Sequence, residues 1–137
     1  MGSRLTFVIP LSGALLAGCS RAPVHVAGPF YLDTLPDTSD VYLFRCPSGP
    51  GEGGVGCAVD GLPGPHVVRA GGNAHYVVVV EAVDLGDGPS RYFYFARVPQ
   101  ETRGWGKNPE KIMGPLTKAE FDQEQRGLGL PAPETKP

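Results

Sequence analysis

The sequence predicts a mainly β fold of the α+β kind, a small antiparallel sheet of four to six strands with one short C-terminal helix. Three observations predict it. The 137 residues include 20 Gly and 15 Pro, a density of turn formers that favours short strands and tight loops over long helices. Residues 76–80 read Tyr-Val-Val-Val-Val without polar alternation, and residues 91–98 read Arg-Tyr-Phe-Tyr-Phe-Ala-Arg-Val. Both are β-branched or aromatic runs of strand length. A well-specified helix start occurs at Thr117, where a capping residue is followed three positions later by Glu120.

Taken from the N-terminus, Arg4 introduces an apolar run over residues 5–15, interrupted by Pro10 and Gly13, which ends in Leu16-Ala17-Gly18-Cys19. A charged start, a short apolar stretch and small residues are the parts of an export signal. The last four residues resemble the lipobox of bacterial lipoproteins. That resemblance implies a signal peptide over residues 1–18, a diacylglyceryl thioether on Cys19, and acylation, as by palmitate, of the new amino terminus. Two or three acyl chains, at about 0.8 kcal/mol for each buried CH₂, anchor a protein where a single chain does not. Residues 5–18 lack charge but number only 14, against the roughly 20 that a spanning helix needs. The expectation is therefore a membrane tether and not a span. Ser20 resembles the sorting signal of Gram-negative outer-membrane lipoproteins, which implies a periplasm-facing protein of the outer membrane. An ordinary secretory signal with an incidental cysteine is the alternative.

With lipidation of Cys19, Cys46 and Cys57 are left as a pair. In the oxidising compartment that the resemblance implies they are expected to form a disulfide, closing a loop that contains Gly49, Gly51, Gly53, Gly54 and Gly56. Two free thiols remain the rival reading. Without residues 1–18 the chain has 119 residues, with 11 basic against 14 acidic side chains and a formal charge of −3. This balance argues against nucleic acid as a partner, and the length suits one small core.

Residues 19–27 read as a lipidated tether and residues 28–130 as a single β-rich domain. Residues 41–46 (Val-Tyr-Leu-Phe-Arg-Cys) form a strand signal, and residues 56–62 are placed to pair back against it. After the Pro63-Gly64-Pro65 break, residues 66–69 and 74–83 make two further strands around Gly71-Gly72-Asn73. The unbroken valines imply a central strand covered on both faces. Residues 84–90 are a turn cluster, which makes residues 91–98 the antiparallel partner. On that strand Tyr92 and Tyr94 share one face, Phe93 and Phe95 the other. One pair belongs to the core, and the second is either covered by the helix or forms an aromatic patch. The helix opens at Thr117 with Leu116 and Phe121 as a hydrophobic staple, closes with Gly127 in the left-handed position, and docks through Ala119, Phe121, Leu128 and Leu130. Residues 131–137 read as a disordered tail.

Residues 112–121 (Ile-Met-Gly-Pro-Leu-Thr-Lys-Ala-Glu-Phe) and 127–131 (Gly-Leu-Gly-Leu-Pro) resemble the C-terminal half of small bacterial lipoproteins of the DUF3997-like kind. The similarity spans roughly residues 74–131. Its motif is a helix start, so it implies fold and no activity, and the glycine-rich loop departs from that pattern.

Chemistry-bearing motifs are sparse. His25, His66 and His75 lack the spacing of a metal site, so no metal and no cofactor are expected. Ser39 and Ser48 lack the strand-to-helix elbow of a catalytic serine, and residues 49–54 lack the Lys-Ser/Thr pair of a phosphate loop. The chain reads as a non-enzyme. Gly51 and Glu52, in a mobile loop held at its base, and Trp105, beside Arg103 and Lys107, are candidate contact residues. Tyr92 and Tyr94 join them if their face is open, and Trp105 has the alternative role of a plug at the end of the sheet. The expected function is a lipid-anchored, non-catalytic protein-interaction module, an accessory or inhibitor/immunity-like factor that binds an envelope protein. A small-ligand-binding or envelope-stress sensing lipoprotein is the alternative.

Overall fold

The computed structural model describes residues 21–36, 38–51, 56–59, 61–83, 88–98 and 110–137. It is mainly β, with two antiparallel sheets and one C-terminal helix. β1 (Val24–Ala27), β2 (Phe30–Thr34) and β3 (Val41–Arg45) form a sheet in that order. β4 (Val67–Gly72), β5 (Tyr76–Ala82), β6 (Ser90–Ala96) and β7 (Met113–Leu116) form the other, again in chain order. The helix α1 (Lys118–Leu128) lies against β6 and β7. Among the described residues no helix is long and apolar enough to cross a membrane.

The valine run of β5 organises the three layers. Successive side chains of a strand point to opposite faces. Val77 and Val79 accordingly join Phe30, Leu32 and Leu43 of the first sheet in one core cluster, whereas Val78 and Val80 join Phe121 and Leu130 in another. β6 divides the same way, with Phe95 meeting Phe30 edge-on at 5.0 Å and Tyr92 stacking on Phe121 at 4.8 Å. The order is sheet, sheet, helix, with β5 buried on both faces.

The strands therefore divide between two sheets. One source of the extra strands is residues 24–27, expected within the tether but paired as β1 with β2, Val24 opposite Leu32. Gly28, at φ 49, makes the tight turn between them. A second departure is the C-terminal segment, expected as a disordered tail. Thr135 and Ala70 exchange both backbone hydrogen bonds at 2.8 Å, so the segment covers the outer edge of β4. The approach is close enough that a Cβ on Gly71 would collide with the Ala132 carbonyl oxygen.

α1 begins as expected. The Thr117 hydroxyl accepts from Glu120 N at 3.3 Å, and Thr117 N donates to Glu120 Oε2 at 2.7 Å, a complete capping box. The end differs. Gly127 is helical, and Gly129 takes the left-handed position at φ 68 and ψ 40, its N–H donating to the Gln125 carbonyl. The two additional residues carry Leu128 to the solvent side, where it is 41% exposed. Ala119 is exposed as well, so the helix docks through Phe121 with Leu130 beyond its end.

The registers define two poles. β1, β3, β4 and β6 start, and β2 and β5 end, at the one that we call the N-terminal pole. Arg21, Thr34, Val41 and Pro137 line one small hollow there, and His66 approaches Asp40 from the other sheet. At the opposite, hairpin pole, Gly72 lies against Ala27, and β3 runs into the Cys46–Cys57 disulfide.

Candidate functional site

Of the residues that the sequence marks for contact, Gly51 lies at the hairpin pole, in the loop closed by the Cys46–Cys57 disulfide. Cys46 and Cys57 are disulfide-bonded, and the segment after Cys57 returns along β3. Arg45 and Ala58 exchange backbone hydrogen bonds at 2.8 and 2.9 Å, and Leu43 N donates to the Pro63 carbonyl. Among the described residues, the expected pairing of residues 56–62 with β3 is thus a single bridge, Arg45 with Ala58, followed by a turn in which Leu62 N donates to the Val59 carbonyl. Cys46 N donates to the Pro29 carbonyl at 2.7 Å, which fixes the base of the hairpin to the β1–β2 turn.

Next to this base stands the β4–β5 turn. The Asn73 side chain accepts from His75 N and Tyr76 N, both at 2.8 Å, the local bonding for which Asn suits turns. Arg97, just beyond β6, donates from Nη1 to the Asn73 carbonyl at 2.9 Å and from its backbone N to the His75 carbonyl. The pole therefore presents a stapled hairpin with Gly51 on it, a rigid turn with exposed Ala74 and His75, and the described ends, Ala96 and Met113, of the two strands that flank residues 99–109. Trp105, Glu52 and Cys19 lie outside the described residues.

Tyr92 and Tyr94 do not belong to a contact surface. They are only 5% and 7% exposed, because α1 covers their face. Tyr92 stacks on Phe121, and Tyr94 donates its hydroxyl to Glu124 Oε2 at 3.1 Å. Burial, and then the Glu124 carboxylate that accepts this proton, raise the Tyr94 pKa. Of the two alternatives for this face, the structure realises the covered one.

A second polar group, which the sequence reading did not single out, lies at the N-terminal pole. His66 Nδ1 is 3.4 Å from Asp40 Oδ1, and the Glu81 carboxylate accepts the Gly64 N–H close to His66 and Arg91. Burial raises the Glu81 pKa, against the lowering effects of that hydrogen bond, Arg91 and His66. His66 has φ 69, uncommon for a residue with a Cβ, and its carbonyl accepts from Ala82 N at 3.0 Å. The cluster ties the corner before β4 to both sheets. The Pro63-Gly64-Pro65 break was its one signal in the sequence, and that marks a turn without saying what the turn brings together. Among the described residues no three His, Cys, Asp or Glu side chains are grouped to hold a metal.

Beside this cluster, Val83, Ser90, Arg91, Leu116 and Thr117 line a shallow groove of about 280 Å³ that is open to solvent. The hollow next to Arg21 is mostly apolar and of about 10 Å³, the space of one water. The chain matches no protein-family model, no curated protein and no solved structure.

Proposed function

We propose that the protein is a lipid-anchored envelope lipoprotein that binds a protein partner without catalysing a reaction, as an accessory or inhibitor/immunity-like factor, and that the hairpin pole is the surface it presents. One observation carries this reading: the disulfide hairpin with Gly51 and the strand ends that flank the Trp105 segment meet at the same pole. Loops held by a rigid scaffold are the usual place for binding residues, and aromatic residues dominate interface energetics. Ligand pockets enclose most of their ligand in roughly 300–1,000 Å³, so the open groove near Arg91 lends less support to the small-ligand or stress-sensing alternative. The anchor rests on Leu16-Ala17-Gly18-Cys19.

Crosslinking and recovery of partners from intact envelopes, with the native protein beside Trp105→Ala, tests the reading. A single envelope protein captured by the native chain and lost in the variant supports it. Equal capture by both removes Trp105 from the surface. Membrane association that persists in Cys19→Ala contradicts the anchor.

A further inference from the structure

The outer edge of β4 already holds an extended peptide, the chain's own C-terminal segment. Resting on the reading of a protein partner above, we infer that this edge is a strand-addition site, which an extended, proline-free segment of the partner occupies by displacing residues 131–137. The seated segment shows what the edge accepts. Residues 131, 133, 135 and 137 are half-buried and residues 132, 134 and 136 exposed, the alternation of a strand. Ala70 and Thr135 exchange both backbone hydrogen bonds, and the absence of a side chain at Gly71 lets the Ala132 backbone come close. β4 ends at Gly72, which puts this edge beside the hairpin pole.

The resident segment is built to hold the edge by that one pair. Hydrogen-bonded pairs of an antiparallel ladder recur at every second residue. The register set by Ala70 and Thr135 therefore puts the next two at residues 133 and 137, level with Gly72 and Val68. Both are prolines, which have no N–H to donate. On the Gly72 side the chain also bends, with Glu134 N donating to the Ala132 carbonyl at 3.0 Å. A segment with N–H groups at these two positions supplies donors that the resident one lacks, and main-chain bonds are the source of affinity in strand addition. Leu130 is buried, whereas no residue after it is, so residues 131–137 can leave without pulling a side chain out of the core.

The test uses the isotope-labelled full chain, native and with Thr135→Pro, which removes the donor to the Ala70 carbonyl and leaves β4 unaltered. The probe is a synthetic peptide of residues 129–137 carrying Pro133→Thr and Pro137→Thr, and binding is followed through amide chemical shifts. The expected result is binding to the variant with shifts centred on residues 68–72, roughly tenfold tighter than for the peptide of unaltered sequence. Binding to the native chain is expected to be weaker by about tenfold or more, because its tethered segment competes. No binding to the variant, shifts centred elsewhere, or equal binding to variant and native chain overturns the inference. A variant that fails to fold overturns it too, since the segment is then a structural part of the domain and not a displaceable cover. None of these outcomes touches the hairpin pole, which is judged by Trp105-dependent capture from envelopes.

Discussion

Replacing Phe121 with Ala removes the principal contact between α1 and the four-stranded sheet. The side chain is 2% exposed and stacks on Tyr92 with 22° between the ring planes. A phenylalanine buries on the order of 150 to 250 Å², which at about 25 cal/mol per Å² gives an upper value of about 4 to 6 kcal/mol. Large-to-small substitutions at buried aromatic sites cost about 3 to 5 kcal/mol, so a loss of about 4 kcal/mol is expected. With a slope near 2 kcal/mol per molar in urea, the midpoint falls by about 2 M. Leu128→Ala is the internal control. Leu128 stands on the same helix but is 41% exposed, and a surface truncation of this kind stays within about 0.5 kcal/mol. Urea unfolding of the oxidised protein, followed by far-ultraviolet circular dichroism, reads both. Equal shifts in the two variants, or a Phe121→Ala shift near that of the control, would refute the claim that the helix is held through Phe121.

Three further predictions follow from the fold. Reducing the Cys46–Cys57 disulfide, whose cysteines are 11 residues apart, is expected to cost about 2 to 3 kcal/mol on the chain-entropy account, checked by urea midpoints with and without reductant. Gly71→Ala places a methyl against the Ala132 carbonyl and is expected to release the C-terminal segment from β4. Its two backbone bonds with Thr135 contribute about 1 to 3 kcal/mol together, and the sign of release is faster hydrogen exchange at Ala70 and Thr135 with the rest of the sheet unchanged. Glu81 has a raised pKa because burial disfavours its charged form. Its contribution is most favourable below the ordinary glutamate value and is lost as pH rises through the raised one. Glu81→Gln is thus expected to be as stable as the native protein or more so at pH 7, and to lose that advantage as pH falls toward the glutamate range. An advantage that grows on acidification would contradict the assignment.

What was legible in the sequence was local. Unbroken valines at 77–80 announce a two-sided strand, and β5 has a core cluster on each face. Thr117 and Glu120 announce a capping box, because its partners are three residues apart. What escaped depends on partners distant in the chain. β1 has four residues after a proline and reads as a spacer until β2 pairs with it. The C-terminal segment holds Pro131, Pro133 and Pro137, which disfavour strand pairing, yet one residue pair with Ala70 suffices to seat it. Gly127 and Gly129 are both chemically fit to end a helix, and the later one does so with Leu130 buried in the core beyond it. Burial of Tyr92 and Tyr94 depended on which sheet face the helix would cover, a question that strand alternation leaves open. The convergence of the hairpin with the strand ends beside residues 99–109 is likewise a property of topology, since the elements involved are dispersed along the chain.

Photo-crosslinking from the two poles in intact envelopes tests the central claim most directly. A photoreactive residue replaces exposed Ser48 on the hairpin or exposed Ser39 at the N-terminal pole, with the rest of the chain native. The account predicts one discrete protein adduct from position 48 and none from position 39. Adducts only from position 39, or the same adducts from both, would contradict the claim that the hairpin pole is the surface that meets the partner.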